Sequence, residues 1–181
     1  MSTALLIIDV QAGLCTGDYE VFESARVIRN VNRLSEHARS RGLPVVVIQH
    51  EEDEGTLALH SPGWQLADGL VATPQDIFIR KTASDSFHKT GLQAQLQSRG
   101  VTELIVCGMQ SDFCVDSTVR RALALGYPLV LASDAHSTLD NHTLTAPQII
   151  AHHNETLSQL SSFGVRAELR TTEEILASQV A

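Results

Sequence analysis

Ala4-Leu5-Leu6-Ile7-Ile8-Asp9-Val10 is an apolar run of strand length that carries a carboxylate near its end. Apolar residues fill both alternating sets of positions, so the run predicts a strand buried on both faces. The chain that follows repeats the theme. Phe22–Arg41 places Val27, Val31, Leu34 and Ala38 at helical spacing, Gly42-Leu43-Pro44 ends that helix, and Pro44–Gln49 is a second strand. Further strands are predicted at Asp76–Arg80, Glu103–Cys107, Pro128–Ala132 and near Val165–Leu169. Helices are predicted at Thr90–Arg99, Phe113–Leu125, near Ala146–Ser161 and around Thr172–Gln179. Glu51 to Pro74 reads as a long loop with at most a short helical piece; loops of that length in compact domains tend to be functional or disordered.

Strand–helix alternation with fully apolar strands implies a three-layer α/β/α architecture around a six-stranded, mainly parallel, Rossmann-like sheet. No internal repeat, low-complexity tract or linker interrupts it, so residues 1–181 are read as a single domain. At 43% hydrophobic residues the chain has enough apolar material for a core, which argues against disorder. The net charge of −8, without any Lys/Arg cluster, argues against a nucleic-acid or anionic-membrane partner. Apolar runs such as Ala4–Ile8 and Pro44–Ile48 are too short to span a bilayer. The start lacks the basic, apolar and small-residue pattern of a secretory signal. Cys15, Cys107 and Cys114 make an odd count with no Cys-x-x-Cys spacing, which favours free thiols in a reducing compartment. The expected localisation is cytoplasmic.

Ligands of open α/β sheets bind at the carboxyl ends of the strands. Three residues fall there: Asp9 after strand one, Lys81 after strand three and Cys114 after strand four. Cys114 lies in Gly108-Met109-Gln110-Ser111-Asp112-Phe113-Cys114-Val115. Ser111 or Asp112 as N-cap would put it in the first turn of a helix, where the terminal partial charge favours a thiolate. Asp112 and Asp116 oppose that effect, and Lys81 is the cation that would offset them. Asp9 could accept the thiol proton and return it to a leaving group. Each residue also has an ordinary explanation. A lone Cys is most often a small buried hydrophobe, a strand-end Asp caps a turn, and a Lys there faces water. Cys107 fits the first description, and Cys15, in a Gly-rich loop, lacks the helix-start context. The combination at three strand ends favours catalysis.

These residues resemble the isochorismatase-like cysteine hydrolases, which include nicotinamidases, N-carbamoylsarcosine amidases and streptothricin hydrolases. The resemblance is carried by Ala4 to Gln11, Arg80-Lys81, Ser86-Phe87, Thr90-Gly91-Leu92, Gly108 to Thr118, Ala122, Gly126-Tyr127 and Ser133-Asp134-Ala135. It implies an Asp–Lys–Cys triad of Asp9, Lys81 and Cys114, and a cis peptide at Met109–Gln110. It also implies an oxyanion hole from the backbone N–H groups of Gln110 and Cys114, each such donor worth about 3 kcal/mol. The implied reaction is hydrolysis of a small-molecule C–N bond of amide type through a thioester at Cys114. Relatives are commonly oligomers, so a homodimer or homotetramer is expected.

Members that cleave a vinyl ether lack the cysteine, so that chemistry ranks below amide hydrolysis. A catalytically silent small-molecule-binding protein of the same fold is the alternative from another class. Nucleotide binding is disfavoured because neither Gly-x-Gly-x-x-Gly after strand one nor Gly-x-x-x-x-Gly-Lys-Ser/Thr occurs. Nicotinamidases usually carry a metal site built from an Asp and histidines after strand two. Here Gln49 stands at the aspartate position, and the neighbours His50 and Glu51 would point to opposite faces of an extended segment. The reading is therefore no metal and no cofactor, with a divalent ion near His50 as the disfavoured alternative. Phe113, Trp64 and His50 are the expected substrate contacts. His136 and Thr138 are read as a structural turn, and His152 and His153 as solvent-exposed.

Overall fold

The computed structural model describes residues 2–178. Six strands, β1 (Ser2–Ile8), β2 (Val45–His50), β3 (Ile77–Lys81), β4 (Val101–Met109), β5 (Leu129–Ser137) and β6 (Ala167–Arg170), form one sheet. Their order is β3-β2-β1-β4-β5-β6 and every pairing is parallel. The helices are α1 (Ala12–Cys15), α2 (Ser24–Ser40), α3 (Leu92–Ser98), α4 (Asp116–Ala124), α5 (Ala146–Ser158) and α6 (Thr172–Ala177). The expected α/β class and six-stranded sheet are therefore present. No helix among the described residues is long and apolar enough to cross a membrane.

Side chains alternate across a strand, so β1 serves two cores. Leu6 and Ile8 pack with Leu92 and Leu96 of α3, Val119 and Leu123 of α4 and Leu157 of α5. Leu5 and Ile7 pack on the other face with Val27, Val31 and Leu34 of α2 and Ile175 of α6. Parallel strands with both faces covered need this double apolar pattern. The last two helices begin on capping boxes, Thr145 with Gln148 and Thr171 with Glu174, which satisfy otherwise orphaned N–H groups.

The order in which strands are added to the sheet reverses at β1, whose neighbours are β2 on one side and β4 on the other. That switch point opens the crevice in which such sheets bind ligands. Gly108, paired with Ile8, makes the close approach possible. Its φ is +117°, and a Cβ there would lie 2.0 Å from the Ile8 carbonyl oxygen. Gly108→Ala is therefore expected to destabilise the protein by about 3 kcal/mol or more, read as a fall in the urea midpoint. An unchanged midpoint would contradict this packing.

Several boundaries differ from the sequence reading. The strand expected at Pro128–Ala132 runs on to Ser137, with a register shift between Val106 and Gly108 that lets His136 and Ser137 pair beside the end of β4. The helix expected from Phe113 is divided: Ser111–Val115 is a π-helical turn, and regular α4 starts only at Asp116. Cys15, expected in a Gly-rich loop, ends α1 and is buried against the Met109 sulfur at 3.6 Å. β3 is an edge strand, which leaves Phe78 exposed while Ile79 and Lys81 point inward. Gln179, the expected end of the last helix, lies outside the described residues.

Candidate active site

The three strand-end residues converge at the switch point. Asp9 follows β1 in a left-handed conformation, φ +49°, with its N–H bonded to the Ile48 carbonyl at 2.9 Å. Left-handed backbone is uncommon for a residue with a side chain and marks a turn held by its surroundings. The turn leaves the Asp9 carboxylate completely buried. Lys81 ends β3, and the two-residue alternation that buries Ile79 buries it as well. Its Nζ lies 2.6 Å from Asp9 Oδ2 and 3.1 Å from Cys114 Sγ. The ion-pair contact falls outside hydrogen-bond angles, so both Asp9 oxygens remain without a hydrogen-bond donor among the described residues. A buried carboxylate with open acceptor positions is well placed to take a proton.

Burial alone would lower the Lys81 pKa, but Asp9 and Cys114 beside it reverse the effect and hold it above the ordinary lysine value. The site therefore contains one firm positive charge. Burial pushes the Cys114 thiol up to about 12, Asp9 adds to the rise, and Lys81 opposes both only in part. This corrects the expectation that a helix start lowers the thiol pKa. Neither Ser111 nor Asp112 caps the turn: Ser111 Oγ contacts His136 Nδ1 at 2.8 Å, and Thr138 Oγ1 donates to Asp112 Oδ1 at 2.5 Å.

Met109–Gln110 is cis, as the resemblance implied. The Gln110 N–H makes no hydrogen bond among the described residues, and the Cys114 N–H reaches no acceptor outside its own helical turn. Gln110 and Phe113 also line a cleft of about 470 Å³ with Asp112, Thr138, Leu139 and His142. Phe113 is 54% exposed there. A second hollow, near Arg39 and Asp76, lies at the opposite, amino end of the strands, away from the three residues.

His136 was read as part of a structural turn, but it lies within β5 and is buried. Its Nε2 contacts Asn154 Oδ1 at 2.8 Å, while Asn154 Nδ2 donates to the Ser133 carbonyl. Those partners assign a neutral ring that donates from Nε2 and accepts the Ser111 hydroxyl proton at Nδ1. The π-helical turn that carries Cys114 is thus tied through His136 to α5. Burial lowers the His136 pKa from 6.5 to about 4. Because the folded value lies below the unfolded one, its contribution to stability is present above pH 6.5 and lost as pH falls toward 4. Wild type is expected to lose about 3 kcal/mol of stability across that window through this group, a loss that His136→Gln removes. Urea titrations at several pH values test it; parallel pH curves for the two proteins would contradict it.

His50 Nδ1 lies 3.2 Å from Lys81 Nζ, so His50 meets the Lys81 ammonium. Trp64 is not brought against the three residues by any recorded contact. Its ring packs edge-on to His60 at 5.3 Å, and its carbonyl accepts from Gln11 Nε2 at 2.9 Å and Gln49 Nε2 at 3.0 Å. Gln11 also bonds both the N–H and the C=O of His50, so one buried amide fixes β2 and the long loop together. Sequence reasoning gave Gln11 no role; a glutamine directly after a strand-end aspartate was the available signal. His153 is half-buried, 3.9 Å from Asp116, rather than solvent-exposed, whereas His152 is exposed.

Metal-type ligands fit poorly. Asp9, His50 and Cys114 form the one ligand-rich cluster among the described residues, and the Lys81 ammonium lies within 3.2 Å of an atom of each. A resident divalent cation would have to displace that buried charge. Gln49, in place of a carboxylate, spends its amide on the Trp64 carbonyl.

The structure is a parallel α/β sheet with the Lys81 ammonium held between a carboxylate and a thiol at its switch point. Residues 3–159 match the isochorismatase domain family model, and the chain belongs to the isochorismatase family of hydrolases. A streptothricin hydrolase of Streptomyces noursei is 44% identical over 138 residues, 76% of this chain and 50% of that protein. The chain spans about half the length of the streptothricin hydrolases it matches. The isochorismatase family protein YddQ of Bacillus subtilis (strain 168) is 34% identical over 97% of this chain and 99% of its own. The crystal structure of an isochorismatase family protein superposes with a TM-score of 0.86 at 36% identity, covering 93% of this chain and 98% of that one.

Proposed function

We propose that the protein hydrolyses a C–N bond of amide type in a small molecule, with Cys114 as nucleophile. The observation that carries the reading is the Lys81 ammonium within 3.1 Å of both a buried, hydrogen-bond-free carboxylate and a thiol. Moving the thiol proton to Asp9 leaves the net charge of the trio unchanged, so activation requires no new buried charge.

The sulfur attacks the carbonyl carbon as its proton passes to Asp9, and the carbonyl pair moves onto oxygen. The Gln110 and Cys114 N–H groups receive that oxyanion, each worth about 3 kcal/mol at such a position. Collapse breaks the C–N bond, and Asp9 gives its proton to the departing nitrogen. Water then adds to the thioester as Asp9 takes a proton; C–S cleavage releases the acid, and the proton returns to sulfur. Lys81 holds Asp9 in place and steadies the transient thiolate. Phe113 and the cleft beside Gln110 would receive the substrate, and the action is on a soluble small molecule without metal or cofactor. Assembly as a homodimer or homotetramer is part of the proposal. The test is ammonia or amine release from a panel of small primary and N-substituted amides. Turnover absent from every amide, with a vinyl ether cleaved instead, would overturn the reading.

A further inference from the structure

On either side of Gln110 the chain is laced to the end of β5. Strand register pairs Gly108 with His136 and Met109 with Ser137. Beyond Gln110, Ser111 Oγ lies 2.8 Å from His136 Nδ1. His136 therefore grips the chain before Gln110 by strand pairing and after it by its ring. The Gln110 carbonyl accepts the Phe113 and Val115 N–H groups, and the Ser111 carbonyl accepts that of Asp116. A shift of Ser111 would thus carry Gln110, the π-helical turn and the start of α4 with it. Ser111 and His136 are both buried, so water cannot replace the bond between them. The ring is itself fixed, because its Nε2 meets Asn154 Oδ1 on α5 at 2.8 Å and Asn154 Nδ2 donates to the Ser133 carbonyl. Nδ1 is left as the acceptor, and the Ser111 hydroxyl donates to it.

We propose that His136 is a positioning residue that, through Ser111, holds the Gln110 N–H where the oxyanion forms. The inference rests on the reading of Cys114 as nucleophile and of Gln110 as an oxyanion donor. A preorganised donor acts only if it stays aimed at the developing charge, and a misplacement of about 1 Å costs about 100-fold in rate. The loss falls on kcat rather than KM, because the full charge exists only in the transition state. Alkylation by iodoacetamide is a displacement at a saturated carbon and forms no oxyanion. It reports the sulfur and ignores the Gln110 N–H.

Ser111→Ala and His136→Leu remove the bond from its two sides, whereas His136→Gln keeps one acceptor and one donor. Each of the first two is expected to lower kcat for a cleaved amide by about 10- to 100-fold, with KM within about threefold of wild type. Iodoacetamide should alkylate Cys114 at the wild-type rate in both, with buried Cys15 and Cys107 as internal controls. His136→Gln should recover most of kcat. The double variant should lose no more than either single one, since both remove the same contact. Unchanged kcat in Ser111→Ala, or a fall matched by an equal fall in alkylation, overturns the proposal. Should His136→Leu not fold, Ser111→Ala decides. 15N relaxation supplies a readout that needs no substrate. The Gln110 amide should be rigid in wild type, with an order parameter of about 0.85, and fall to about 0.7 in Ser111→Ala. Equal order parameters overturn the proposal. A Gln110 amide loosened as expected, in a protein that cleaves no amide, would refute the hydrolase reading alone.

Discussion

Cys114→Ala is expected to lower kcat/KM for a cleaved amide by about 10⁴-fold or more, because it removes the sulfur proposed to form the covalent bond. Cys114 is half-buried, and the one hydrogen-bond partner of its sulfur among the described residues is Lys81, so stability should change by about 1 kcal/mol or less. The comparison is of steady-state rates and urea midpoints on the same preparation. Activity within tenfold of wild type would remove sulfur from the reaction. Cys114→Ser is the stricter control. It nearly keeps the size but replaces the thiol with a hydroxyl of far higher pKa, and it should be nearly as inactive.

Lys81→Met should act on stability and activity together. It leaves a completely buried Asp9 carboxylate without a counter-ion, and breaking a buried pair from one side typically destabilises by about 3–5 kcal/mol. Activity should fall by about 10³-fold or more, since the developing thiolate loses its only adjacent cation. Combining Lys81→Met with Asp9→Asn should restore much of the stability and none of the activity. A double variant no more stable than the single one would show that the pair is not what holds this end of the sheet. The wild-type ion pair also has a pH signature. The folded Lys81 pKa lies above the ordinary value of 10.5, so its contribution is fully present below 10.5 and lost as pH rises through the folded value. Alkaline destabilisation from this source should be absent in the Met variant.

Why was so much of this architecture legible? β1 is apolar from Ala4 to Ile8 and β2 from Val45 to Ile48, and only a strand covered on both faces needs that pattern. The crossing from each strand into a helix then placed Asp9, Lys81 and Cys114 on one edge before any distance was known. What failed was decided by partners far along the chain. Ser133 to Ser137 is polar and reads as a loop, yet Asp134 caps the start of α6 and His136 bonds Ser111 and Asn154. Lack of Gly or Pro in that stretch was the sole local hint that the strand continues. Ser111 and Asp112 look like helix caps, and the thiol argument depended on that; in the fold they turn to His136 and Thr138 instead. Trp64 sits in the right loop, but its contacts are to His60 and two glutamines. His50 was singled out for substrate, and the geometry gives it Lys81.

The central claim is that a covalent bond forms at Cys114. The most direct measurement is acid quenching of the protein during turnover of a small amide, followed by mass spectrometry of the Cys114 peptide. An adduct of the acyl mass on Cys114, lost on treatment with hydroxylamine and absent from Cys114→Ala, is the predicted result. Turnover at full rate with the Cys114 peptide unmodified, or with the acyl mass on another residue, would contradict it.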